Sequence, residues 1–169
     1  MSPRKVAFAP VVDAQTRLLI LGSLPGDQSL AAGRYYANPR NRFWHLVGAV
    51  IDRTDLPELE YAARLALLLD CGIGLWDAVA TAERPGSLDS AIRKFQPAAL
   101  TEFAGSLPQL HAIAFNGKTS AKIARPLLAD AGYALIDLPS SSPAHAAKSY
   151  EQKRQAWLVL QHFLLPPAA

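Results

Sequence analysis

A three-layer α/β fold, with a four-stranded parallel sheet held between helices, is what this sequence predicts, and three observations predict it. Four short apolar runs, at 17–21, 73–79, 111–115 and 133–138, each lead into small or polar residues, as strands buried on both faces do. Between and after them lie segments whose apolar residues recur at helical spacing, which makes each crossover helical and therefore right-handed. Half of the chain, 50% of 169 residues, is hydrophobic, which fills the core of one domain spanning 1–169 and leaves two domains cramped.

The elements follow in order. Arg17-Leu18-Leu19-Ile20-Leu21 is a continuous apolar run closed by Gly22, and a loop rich in Gly, Pro and Ser comes after it. Phe43, Leu46, Val47, Val50 and Ile51 recur with the period of a helix, and a second helical stretch runs over 57–69 until Gly72 and Gly74 break it. The run 73–79 reads as the second strand and its exit; Arg84-Pro85-Gly86 then leads to a helix capped at Ser87 or Asp89. The run 111–115 closes at Asn116-Gly117 and opens a helix over 118–128, and the fourth strand enters Pro139-Ser140-Ser141-Ser142-Pro143. A last helix over 149–164 turns Ala156, Leu158, Val159, Leu160, Phe163 and Leu164 toward the core, and Pro166-Pro167 ends it.

Composition narrows the function classes. With 17 Lys+Arg against 14 Asp+Glu the net charge is +3, a mild attraction toward polyanions. The single cysteine, Cys71, closes no internal disulfide, and with only four histidines a structural zinc cage is excluded. No leader-like or membrane-length apolar run occurs, so the expectation is a cytoplasmic protein without membrane contact, and nothing in the pattern demands more than a monomer. No serine-hydrolase elbow, no zinc-deaminase signature and no carboxylate cluster for Mg²⁺ is present, so no metal or cofactor is expected.

In a parallel sheet the chemistry collects at the carboxyl ends of the strands. Here those exits are Gly22-Ser23-Leu24-Pro25-Gly26, Trp76-Asp77, Asn116-Gly117-Lys118 and Ser140-Ser141-Ser142-Pro143-Ala144-His145. The glycine loop suits close approach of backbone N–H groups to a ligand or, as readily, a plain tight turn. Asp77 and Asn116 are each a helix cap or a pocket group, the serine run a phosphate holder or a flexible loop, and His145 belongs to no catalytic pattern, so that a structural role is the commoner reading. The block from Tyr35 to Trp44, Tyr-Tyr-Ala-Asn-Pro-Arg-Asn-Arg-Phe-Trp, is the densest mixture of aromatic, amide and guanidinium groups in the chain. Aromatics stack on bases, Arg pairs with phosphates and Asn orients a water or reads a base edge; the plain alternative makes Asn41 a helix cap and Phe43 and Trp44 core.

Taken in order, the glycine loop, the Tyr-Tyr-x-x-Pro-Arg-Asn-x-Phe-Trp block, Phe115-Asn116-Gly117 and Leu138-Pro139-Ser140-Ser141-Ser142-Pro143 resemble the uracil-DNA glycosylase superfamily, and most closely its hypoxanthine-DNA glycosylase branch. The resemblance implies a metal-free enzyme that flips a deaminated base out of DNA and hydrolyses its N-glycosidic bond. Better-known branches carry Asp or Asn where Leu24 stands, and a histidine where Ser140 stands. The hypoxanthine branch shares the apolar residue and relies on an Asn that maps onto Asn41. The expected catalytic residues are therefore Asn41 and, on the first loop, Ser23. The base would meet Tyr36, Phe43, Asp77 and Asn116, and the DNA strand would meet Arg40, Arg42, Lys118, Ser140, Ser141, Ser142 and His145. Ala144 falls near a wedge position that is bulkier elsewhere. Two alternatives stay open: a nucleic-acid-binding module of the same fold without activity, favoured by Leu24, and a hydrolase of free nucleosides or nucleotides.

Overall fold

In a computed structural model, which describes residues 4–83 and 93–165, the chain forms two sheets. The larger holds β2 (Leu18–Gly22), β3 (Ile73–Asp77), β6 (Ala112–Asn116) and β7 (Ala134–Leu138), all parallel in the order β3-β2-β6-β7. Every side chain of β2 is buried, because Leu18 and Ile20 enter one core while Leu19 and Leu21 enter the other. Strand β6 divides the same way, Ala112 and Ala114 against Ile113 and Phe115. Two buried faces require two helical layers, which is why these runs read as continuous rather than alternating apolar residues.

One layer is built from α2 (Phe43–Val50), α3 (Tyr61–Asp70) and α6 (Tyr150–Trp157), the other from α4 (Leu100–Gly105) and α5 (Lys118–Leu128). Helix α6 begins with a capping box in which Ser149 Oγ accepts from the Gln152 N–H and the Gln152 side chain accepts from the Ser149 N–H. It ends sooner than its apolar pattern suggests, passing into a 3₁₀ turn over Leu158–Phe163 that leaves Val159 42% exposed rather than in the core. The largest fully buried side chain there is Trp157, whose Nε1–H donates to the Pro139 carbonyl at 2.9 Å.

The smaller sheet is antiparallel and was not expected from the sequence: β1 (Arg4–Val6), β4 (Val79–Glu83) and β5 (Arg93–Pro97), in the order β1-β4-β5. The run 73–79 is therefore two strands. The Ala78 N–H donates to the Gly22 carbonyl and the Val79 N–H to the Ser23 carbonyl, which ends β3 at Asp77 and turns the chain into the second sheet. The expected helix cap at Ser87 or Asp89 lies outside the described residues, and 93–97 is a strand. A short helix, α1 (Asp27–Ala32), occupies what reads in sequence as part of the glycine loop, and the helix expected over 57–69 is a 3₁₀ turn at Leu56–Glu58 followed by α3. Among the described residues no helix is long and apolar enough to cross a membrane.

Candidate active site

The carboxyl ends of β2, β3, β6 and β7 open onto one cavity of about 990 Å³, large enough for a purine nucleoside. Ser23, Asp77, Asn116 and Ser142, one from each strand exit, all line it. Tyr36 and Asn41 enter from the loop between α1 and α2, Lys118 from the start of α5, and Ser140, Ser141 and His145 from the loop after β7.

The floor is set by Gly22. A Cβ placed there would lie 2.7 Å from Asp77 Oδ1 and 2.9 Å from Tyr36 Oη, so only a glycine lets the carboxylate and the phenol close over the strand end. Asp77 is 4% exposed, and its charge, after burial itself, raises the pKa of the neighbouring Tyr35 hydroxyl. Tyr35 thus stays protonated and donates to the Ala9 carbonyl at 2.9 Å, while its own N–H donates to Tyr61 Oη.

Consecutive tyrosines divide their work because the backbone turns between them. Tyr36 has φ 54, a left-handed conformation that is strained for a bulky residue, and its carbonyl accepts from Trp44 Nε1 at 3.2 Å. The strained turn lays the Tyr36 ring flat on Phe43, centroids 3.8 Å apart and planes 14° from parallel. Phe43 is fully buried and does not line the cavity. The expectation of a base stacked on Phe43 is therefore corrected: Tyr36 covers it and supplies the cavity wall.

Asn41 lines the cavity and also shapes the backbone. Its Oδ1 accepts from the Phe43 N–H at 2.9 Å, so the carboxamide is fixed in orientation, while the N-cap of α2 is Arg42 rather than Asn41. One lone pair of Oδ1 and the amide N–H₂ are left for a ligand or a water.

Asn116 is fixed more tightly. Its Nδ2 donates to Ser141 Oγ at 2.9 Å, its Oδ1 accepts from the Ser141 N–H at 2.9 Å, and Nδ2 also approaches Tyr36 Oη at 3.5 Å. Ser141 is only 1% exposed, so the expectation that it holds a phosphate gives way to a clamp that orients Asn116. The rest of the serine run is organised by its own hydroxyls, with the Ser142 N–H donating to Ser140 Oγ and the Ala144 N–H to Ser142 Oγ. Gly117, at φ 98, brings the N-terminus of α5 against this loop, where a Cβ would stand 3.1 Å from that of Ser140.

Arg40 and Arg42 are exposed and lie outside the cavity; the Arg42 guanidinium sits over the Tyr150 ring, 5.5 Å from its centroid. Leu24 is 6% exposed and packs with Val79, Ala7 and Ile123, so an apolar side chain there is part of the small core under the glycine loop. Among the described residues no group of three metal-ligating side chains occurs.

The two histidines near this face resist protonation. Burial, and then Arg42, lowers the pKa of His45, whose Nδ1 is buried without a hydrogen-bond partner. Burial, and then Lys153, Lys118 and Lys148, lowers that of His145, whose Nε2 is likewise buried without a partner. The unfolded chain takes up protons first as pH falls through the usual imidazole value of about 6.5, so stability is full above it and declines below it until the folded-state values are passed. Thermal melts at pH 8, 7, 6 and 5 are expected to fall most between the last two or three points, and less so in His45→Gln.

A family model described as the uracil DNA glycosylase superfamily matches residues 9–161. Two relatives, each carrying the name hypoxanthine DNA glycosylase, are 38% identical: one from Methanosarcina barkeri over 91% of this chain and 96% of its own, the other from Methanosarcina acetivorans over 94% and 99%. A solution NMR structure from Methanosarcina acetivorans, of a protein provisionally named uracil DNA glycosylase, superposes with a TM-score of 0.84 at 37% identity, covering 95% of this chain and 99% of that one.

Proposed function

The chain belongs to the uracil-DNA glycosylase superfamily, and from that premise we propose that it is a DNA glycosylase that hydrolyses the N-glycosidic bond of hypoxanthine in DNA. The observation that carries the reading is the convergence of Asn41, Tyr36, Asp77 and Asn116 on one cavity at the carboxyl edge of the sheet.

The reaction needs little covalent help. Departure of the base leaves an oxocarbenium-like sugar whose positive charge the neighbouring DNA phosphates stabilise, and a water completes the hydrolysis. The protein must extrude the nucleotide, hold the base, and place the water. Extrusion costs a few kcal/mol, least where a deaminated base is poorly paired. Tyr36 supplies the flat surface for the base. In this reading Asp77 accepts from the N–H of a lactam edge, a group that hypoxanthine and uracil both present and adenine lacks. Asn41, already oriented by the Phe43 N–H, positions the water or the sugar by its remaining lone pair and amide hydrogens, and Ser23 stands on the adjoining loop. A neutral carboxamide is a weak base, so its contribution is orientation.

Lys118, Ser140, Ser142 and His145 line the cavity and Arg40 and Arg42 are exposed on either side of Asn41 in the chain, cationic and hydroxyl groups suited to backbone phosphates. Arg42→Ala is expected to weaken binding to damaged and undamaged duplex alike and to reduce the slope of log Kd against log salt by about one. An effect confined to the damaged duplex would make Arg42 a base reader instead.

Incubation with duplexes carrying one hypoxanthine or one uracil, and with free deoxyinosine, tests the function. Base release from the hypoxanthine duplex but not from the nucleoside supports the glycosylase. Release from the nucleoside alone would make the cavity that of a nucleoside hydrolase, and binding without release from any substrate would make it a binding module.

A further inference from the structure

Lys153 is a buried ionisable group beneath the serine loop of the cavity wall that the proposed reaction does not use. It projects from α6, is 5% exposed, and donates from Nζ to the His145 carbonyl at 2.7 Å and to the Ser142 carbonyl at 3.4 Å. Among the described residues no carboxylate forms an ion pair with it. Glu151, on the same helix, is turned outward to Arg154. A buried ammonium without a counterion is costly and is retained only where something compensates it.

The two carbonyls it holds bracket the turn 142–145, which is also closed by the His145 N–H donating to the Ser142 carbonyl. Just before them the Ser141 carbonyl accepts from the Arg42 N–H. The carbonyls of Ser141, Ser142 and His145 are thus all held from outside the loop, two of them by one cation. Around that cation stand more positive groups: Arg42 acts on Lys153, and Lys118 and Lys148 act with it on His145. Charges packed this way repel one another and together attract an anion on the outer side of the loop.

We propose that Lys153 is a positioning residue and an internal part of a phosphate site: it fixes the turn 142–145 by its carbonyls, and its buried charge, acting through the loop, helps hold a DNA backbone phosphate on the loop's outer face. The ligand's identity as DNA rests on the glycosylase reading. The phosphate, on arrival, is the counterion that the free protein lacks.

The test compares Lys153→Met and Lys153→Arg with the wild type in binding to an undamaged duplex across a salt series, and in single-turnover excision of hypoxanthine. Lys153→Met is expected to raise Kd about tenfold at low salt and to flatten the salt slope by up to one phosphate contact, with a larger loss in affinity than in the rate at saturating enzyme. Lys153→Arg, which keeps the charge, is expected to retain the wild-type slope. A merely structural lysine predicts the reverse: a lower melting temperature with an unchanged slope, and no rescue by Arg. Should Lys153→Met fail to fold, Lys153→Gln, which keeps a donor without the charge, carries the same comparison, and a wild-type slope in either neutral variant overturns the proposal. If instead the wild type neither binds duplex nor releases a base, it is the glycosylase reading that has failed.

Discussion

Asn41→Ala is expected to lower the single-turnover rate of hypoxanthine release by about 10²-fold or more, the scale for losing one pre-organised polar group at a reacting centre, with little change in affinity for duplex. The structure gives this residue two duties. Its Oδ1 accepts from the Phe43 N–H, which stabilises the entry into α2, and its remaining lone pair and amide hydrogens are available at the cavity. Loss of the first duty costs about 1 kcal/mol of stability, the usual range for removing such a side-chain acceptor. Melting and excision measured on the same variant separate the two duties. A protein less stable by that amount yet fully active at a temperature where it is folded would leave Asn41 a structural residue only. The companion Asn41→Asp keeps the acceptor for the Phe43 N–H, so a melting temperature near wild type is expected for it.

Gly22→Ala is the second large effect, expected to reduce excision by on the order of 10²-fold, because misplacement of site groups by about 1 Å has consequences of that size. The added methyl would stand 2.7 Å from Asp77 Oδ1 and 2.9 Å from Tyr36 Oη, closer than a real Cβ approaches any neighbour. Neither group yields easily. Asp77 closes β3, and Tyr36 is held in a strained turn with its ring flat on Phe43. Overpacking of this kind costs about 1–3 kcal/mol, so the variant should remain folded at moderate temperature while its site is distorted. Gly105→Ala is the matching control, since a Cβ at Gly105 meets nothing within 4 Å and excision should not change. Equal activity of Gly22→Ala and wild type would mean that the Asp77 and Tyr36 edge of the cavity plays no part in catalysis.

The convergence of the four strand exits was legible because it follows from the parallel topology alone. Once 17–21, 73–79, 111–115 and 133–138 are read as strands with helices between them, their carboxyl ends must share one edge of the sheet. Helix α5 was legible for a local reason, the Asn116-Gly117 break before Lys118. The antiparallel sheet was not. Its strands are three to five residues long, and Val79-Ala80-Thr81-Ala82-Glu83 follows β3 with no Gly or Pro between them, so nothing local separates them. The turn is held by the hydrogen bonds of Ala78 and Val79 to the carbonyls of Gly22 and Ser23 and by the pairing of β4 with β1 and β5, all of them tertiary.

Individual roles within the site divided along the same line. Tyr36 and Phe43 are equivalent on paper as flat rings near an amide, and the positive φ at Tyr36 decides which one meets the cavity. Three serines in a row are indistinguishable in sequence, yet Ser141 alone is buried against Asn116. Lys153 sits in the polar stretch Tyr150-Glu151-Gln152-Lys153-Arg154-Gln155 and looks solvated. Its spacing from Trp157, four residues on along α6, was the available signal, for both side chains point inward on one helix face.

The most direct measurement of the central claim, that this cavity cleaves the glycosidic bond of a deaminated base in DNA, is single-turnover detection of abasic sites in a duplex with one hypoxanthine at enzyme in excess. The account predicts alkali-labile breaks at that position only, with free hypoxanthine released in equal amount. A duplex retained in a stable complex while its hypoxanthine stays attached would contradict it.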